Sequence, residues 1–118
     1  MKYLLAIYGD EKAQENMPPD QQEEFMAGWF KFDEELRSSV NVLAGDGLQP
    51  TGTATTVRFK DGGTVTSDGP FAETKEQLGG YYLIDVDNLD DAIKAAGMMP
   101  NLPFGGSVEV RPVQVFEQ

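Results

Sequence analysis

Apolar residues occupy both parities of Tyr3-Leu4-Leu5-Ala6-Ile7-Tyr8, and again of Tyr81-Tyr82-Leu83-Ile84 before Asp85. Strands patterned in this way have no face suited to water, so both segments are expected to be central in a sheet. From Gly9 to Pro19 the chain is polar and is expected to form a loop ending in Pro18-Pro19. Asp20 then stands at capping-box spacing from Glu23, and Phe25, Trp29, Phe32 and Leu36 recur at helical spacing with Met26 and Phe30 beside them. The pattern predicts an N-capped helix with a broad aromatic face, leaving Glu24, Asp33, Glu34 and Arg37 to solvent. Gly28 weakens such a helix by about 1 kcal/mol relative to Ala, which suggests a close backbone contact at that point.

Val40 to Ala44 reads as a strand running into the turn-rich GDGLQPTG. Thr53 to Phe59 is β-branched and alternating, Asp61-Gly62 suits a tight turn, and Gly63 to Thr66 returns, which predicts a solvent-exposed hairpin. Asn88 or Asp87 can cap a second helix whose Leu89, Ala92, Ile93 and Ala96 form one stripe, ended by Gly97 and Pro100. Ser107 to Phe116 is the last expected strand, with Val108 and Val110 on one side and Glu109, Arg111 and Val113 on the other.

The order strand, helix, strand, hairpin, strand, helix, strand predicts an α+β fold, a ferredoxin-like sandwich with an inserted β-hairpin, as a single domain over residues 1–118. Both helices then cover one face of the sheet, while the two doubly apolar strands present large groups to the other. A patch of that size is rare on a soluble monomer, so a homodimer packed sheet against sheet is expected; the alternative is that the hairpin folds over its own sheet.

Composition narrows the chemistry. Twenty acids against nine bases give a formal charge of -11, which speaks against nucleic acid and anionic membranes as partners. The chain contains no cysteine and no histidine. Disulfides, thiolate nucleophiles, imidazole bases and imidazole metal ligands are therefore excluded, and any acid-base chemistry falls to a carboxylate, Lys or Tyr. The first apolar run is too short for a signal-peptide core or a membrane span, so a cytoplasmic protein is expected.

The most individual stretch is Ser67 to Asp85, SDGPFAETKEQLGGYYLID. Asp68-Gly69-Pro70-Phe71 reads as a turn in which Gly permits an unusual φ, Pro fixes φ and Phe anchors the loop in the core. The same turn can hold the Asp68 carboxylate at a pocket mouth, as a base or as a partner for a cationic group. Thr74 and Gln77 have capping-box spacing for one helical turn closed by Gly79-Gly80, and Lys75 is a cation able to bind an anion there. Glu109 and Arg111 share one face of a strand expected to be central, which suggests either a structural ion pair, with Asp85 a further member, or a ligand-binding arginine. Tyr8, Tyr81 and Tyr82 line the same cavity or pack in the core. No metal site and no cofactor are expected.

Together with GDGLQPTGTATTVR before it, GGSVEVRP after it and the opening KYLLAIYGDE, this stretch resembles the DGPF-type branch of the YCII-related family over nearly the whole chain. The resemblance implies a dimeric α+β barrel. Related YCII-type proteins are proposed to be enzymes using a His-Asp pair, which a chain without histidine does not supply. Relatives of the DGPF kind are often encoded beside alternative sigma factors, so a regulatory partner is implied. The residues themselves favour a non-catalytic or weakly catalytic dimer that binds a small polar metabolite in a dimer-associated cleft involving Tyr8, Asp68, Lys75, Tyr82, Glu109 and Arg111. The alternatives are a YCII-like enzyme using Asp68 as its catalytic residue, and a protein-interaction module linked to a sigma factor.

Overall fold

Among the described residues, six strands and three α-helices follow one another in the computed structural model: β1 (Lys2–Gly9), α1 (Glu11–Glu15), α2 (Pro19–Ser39), β2 (Asn41–Gly47), β3 (Thr55–Lys60), β4 (Gly63–Asp68), β5 (Gln77–Asp85), α3 (Leu89–Ala96) and β6 (Ser107–Pro112). The structure describes residues 1–116, so the last two positions of the expected domain lie outside the described residues. Four strands form one antiparallel sheet in the order β2-β5-β1-β6. The two doubly apolar strands, β1 and β5, are its centre. Their register sets Tyr3 opposite Ile84 and Leu5 opposite Tyr82, and these four side chains meet Phe32 and Leu36 of α2 and Ala92, Ala95 and Ala96 of α3 in the core.

The expected dimeric α+β barrel is not what the structure shows. The four-stranded sheet is open, with β2 and β6 as edges, and β3 and β4 form a second, separate sheet. The hairpin does not fold back over the first sheet either: its residues are exposed along nearly the whole of both strands. The Cα radius of gyration is 16.4 Å, against about 13–14 Å for a compact chain of this length, as a projecting hairpin requires. Its turn is the expected one, with Asp61 and Gly62 both at positive φ (52° and 82°), the geometry whose twist matches the flanking strands.

Several local expectations are corrected by competing interactions. The polar segment after Gly9 is a short helix because Asp10 caps it, accepting from the backbone N–H groups of Lys12 and Ala13 at 3.0 and 3.2 Å. α2 starts without the Asp20–Glu23 box: Pro19, preset for a first helical position, begins it two residues earlier than a cap at Asp20 would and leaves Asp20 inside the first turn. On α3, capped by Asn88, the buried stripe is Ala92, Ala95 and Ala96, and Leu89 and Ile93 face out. The turn expected at Thr74–Gln77 does not form, because β5 begins at Gln77 and the Gln77 side chain donates to the Thr74 carbonyl. Phe71 does not anchor its loop; it is 77% exposed. The loop is instead held by polar bonds, Gly69 N–H to the Ala54 carbonyl at 2.7 Å and Thr56 Oγ1 to the Gly69 carbonyl at 2.8 Å.

Candidate functional site

A cleft of about 540 Å³ is lined by the middle of α2 and by residues of β1, β2 and β5. Its floor is the end of β5 and β2, with Tyr82, Gly80 and Gly45, together with Ile7 of β1. Gly80 is there because two backbones nearly touch: a Cβ at this position would lie 2.9 Å from the Asp46 carbonyl oxygen. Tyr82 in turn lies over Gly45, whose Cβ would fall 2.7 Å from the ring. The glycines thus let β2, β5 and the Tyr82 ring close up beneath the cleft.

The facing wall comes from the aromatic stripe of α2. Phe25, Trp29, Phe32 and Tyr82 form a chain of edge-to-face contacts, with ring centroids 6.2, 5.8 and 5.8 Å apart in sequence. Phe32 and Tyr82 are buried, whereas Phe30 is 72% exposed and Met26 is likewise open, both along the cleft. Large apolar side chains left open beside a concavity are a mark of a binding surface.

Polar groups converge on this apolar wall. The Tyr82 hydroxyl donates to Asp33 Oδ1 at 2.7 Å, and Arg37 Nε donates to Asp33 Oδ2 at 3.0 Å. The Tyr82 bond, more than the neighbouring Arg37, holds the Asp33 carboxyl below its usual range despite partial burial. Burial first, and then the bond to Asp33, pushes the Tyr82 phenol far above its usual range. Glu11 accepts from the Thr51 N–H and hydroxyl at 2.9 and 2.8 Å, which fastens α1 to the loop after β2. Gln77 Oε1 accepts from the Glu11 N–H at 2.9 Å. Asp46 accepts from the Tyr81 hydroxyl at 2.8 Å, a bond that raises the Tyr81 phenol.

Asn101 also lines the cleft and is only 2% exposed. Its Nδ2 donates to the carbonyls of Tyr8 and Ser107 at 3.0 and 3.1 Å. Two carbonyl neighbours fix the orientation of the amide, since a flipped side chain would set oxygen against oxygen. Its Oδ1 is buried and has no hydrogen-bond donor among the described residues.

Of the residues singled out from the sequence, Tyr8, Tyr81 and Tyr82 line the cleft. Asp68 ends β4 on the projecting hairpin and is exposed, as is Lys75 in the loop that follows. Glu109 and Arg111 pair with each other. β6 is an edge strand, not the central one expected, so the two charges remain hydrated and need no cavity. Asp85 is engaged elsewhere, by the Met1 amino group at 3.0 Å. Sequence reasoning missed Asp33, Glu11, Trp29 and Asn101 as members of a site. Asp33 had a signal: it lies four residues after Trp29, on the border of the aromatic face. Glu11 and Asn101 had none, because their roles depend on long-range contacts.

A family model described as the YCII-related domain matches residues 1–117. The chain belongs to the YCII-related domain family. One relative of similar length, a protein of Rhizobium meliloti (strain 1021) described as uncharacterized, is 36% identical over 118 residues, spanning 99% of this chain and 95% of its own. Within this YCII-related chain, no described helix is long and apolar enough to cross a membrane. No group of three or more acidic side chains among the described residues is placed to hold a metal ion.

Proposed function

We propose that this YCII-related protein, which we place on the DGPF-type branch by its SDGPFAETKEQLGGYYLID segment, binds a small polar metabolite in the cleft beneath α2. The observation that carries the reading is the convergence of Asp33, Tyr82, Gln77 and Asn101 on a concave, largely aromatic wall. An apolar pocket with a few convergent polar groups is the usual form of a small-molecule site. Trp29 lines it and is the only tryptophan in the chain, so its fluorescence reports on the cleft directly. A metabolite library screened by thermal shift and then by Trp29 fluorescence is expected to yield ligands that raise the melting temperature and perturb Trp29 together. Ligands that stabilise the protein while leaving Trp29 unchanged place the site elsewhere, with Asp68, Lys75 and Arg111 the next positions to vary.

A second reading is favoured by the projecting hairpin, where Val57, Phe59 and Val65 are exposed beside Phe71 of the following loop. Apolar side chains in that number on a thin arm suit a protein partner, either a second copy of the chain or a sigma-factor-linked protein. Light scattering of the chain alone separates these. A mass of twice 12.9 kDa that falls to a single copy in Phe59→Asp supports self-association through the arm, and a single-copy mass for the unmodified chain refutes it.

A further inference from the structure

We propose that the cleft is built for an organic cation: an ammonium group carried by a small, partly apolar molecule, held at Asp33 and packed against Trp29. The inference rests on the cleft-binding reading above and names the class of ligand.

Charge is the first argument. Glu11, Asp33 and Asp46 line the cleft, and no lysine or arginine is among its lining residues. Arg37 compensates Asp33 from outside the lining, through Oδ2. Glu11 spends both oxygens on Thr51, yet its charge stays at the mouth. In a chain of formal charge -11, an anionic ligand entering here meets repulsion without a partner, while a cation is drawn in.

The second argument is the inventory of hydrogen-bonding atoms. The oxygens of Asp33 each accept one bond and retain capacity for another. The unmet demand of the cleft is therefore for N–H or O–H donors, which a carboxylate or phosphate ligand does not bring and a protonated amine does. The third argument is the wall: aromatic faces attract cations that have shed part of their water, and Phe25, Trp29 and Phe30 line this side.

Three molecules of nearly one shape test the proposal on the full chain: 3,3-dimethylbutan-1-amine, protonated at neutral pH, the neutral 3,3-dimethylbutan-1-ol, and the anion 3,3-dimethylbutanoate. Binding is followed by the fluorescence and the indole N–H resonance of Trp29. The protonated amine is expected to bind at least about tenfold more tightly than the alcohol, and the anion more weakly than either. Asp33→Asn, whose amide oxygen still accepts from Tyr82, is expected to cut the amine-to-alcohol ratio at least about threefold; Glu11→Gln serves the same purpose should the first variant unfold. Equal affinity for the amine and the alcohol, or preference for the anion, overturns the cation proposal while leaving a ligand-binding cleft in place. If none of the three moves Trp29, the cation proposal also fails, and the metabolite screen alone decides the cleft.

Discussion

Removing one oxygen atom, by Tyr82→Phe, probes the bond that ties the cleft floor to α2. The ring keeps its edge-to-face contact with Phe32, at 5.8 Å, and no cavity larger than a hydroxyl is left. What disappears is the 2.7 Å bond to Asp33. A hydrogen bond to a charged group contributes about 1.5–3 kcal/mol. Asp33 is partly open to water and keeps Arg37, so the expected loss is at the low end, about 1–1.5 kcal/mol. In urea, with a slope of about 1–1.5 kcal/mol per molar, the midpoint should fall by about 1 M with the slope unchanged. The pH dependence carries a sign. The folded state raises the Tyr82 phenol above its ordinary value of 10.0, so it holds a proton that the unfolded chain releases at alkaline pH. The stabilisation is complete below pH 10 and is lost as pH rises from there toward the folded value. The gap between the parent and Tyr82→Phe is therefore constant near neutrality and narrows above pH 10. A double-mutant cycle with Asp33→Ala isolates the pair. A midpoint for Tyr82→Phe within about 0.3 kcal/mol of the parent, or a coupling near zero, refutes the assignment of this bond as a support of the cleft floor.

Gly28→Ala is expected to stabilise the chain by about 0.5–1 kcal/mol in the same urea assay, because the added methyl would meet only the Pro100 side chain, at an ordinary 3.5 Å; destabilisation would mean that the backbone there needs glycine. Gly80→Ala, by contrast, sets a Cβ 2.9 Å from a backbone carbonyl oxygen and should cost about 1–3 kcal/mol, with loss of the Trp29 response to any cleft ligand. Arg111→Ala should change stability by less than about 0.5 kcal/mol, since its pair with Glu109 is exposed; a larger loss in thermal unfolding would show that the charges on β6 are more than hydrated surface.

Patterning along single segments was legible, and what depended on two segments meeting was not. The doubly apolar runs at Tyr3 and Tyr81 declared themselves central because nothing in them suits water, and Asp61-Gly62 declared its turn through the backbone geometry it demands. The N-terminus of α2 was misplaced because Pro19 and Asp20 are competing start signals one residue apart, and nothing local ranks them. The stripe on α3 was shifted because Leu89 and Ile93 are more apolar than Ala95. The face that α3 buries carries Ala92, Ala95 and Ala96, all of which are at most 5% exposed. At the site, Asp33 was read as a solvent residue from its polarity, while Tyr82, one position inside the aromatic stack, captures it from a strand distant in sequence.

The protonation states in the cleft bear on whether it catalyses or merely holds. A general acid or base works best when its pKa lies near the operating pH, and active sites commonly move carboxylates up or amines down to reach it. Here the bond between Tyr82 and Asp33 acts in the opposite sense on both partners: the carboxyl is lowered and the phenol is raised. Near neutrality the first has no proton to give and the second does not release its own. The pair behaves as a fixed dipole of settled polarity, negative end on α2. With no imidazole in the chain, proton transfer in the cleft would fall to carboxylates and tyrosines, and this pair is held in the two forms least suited to it.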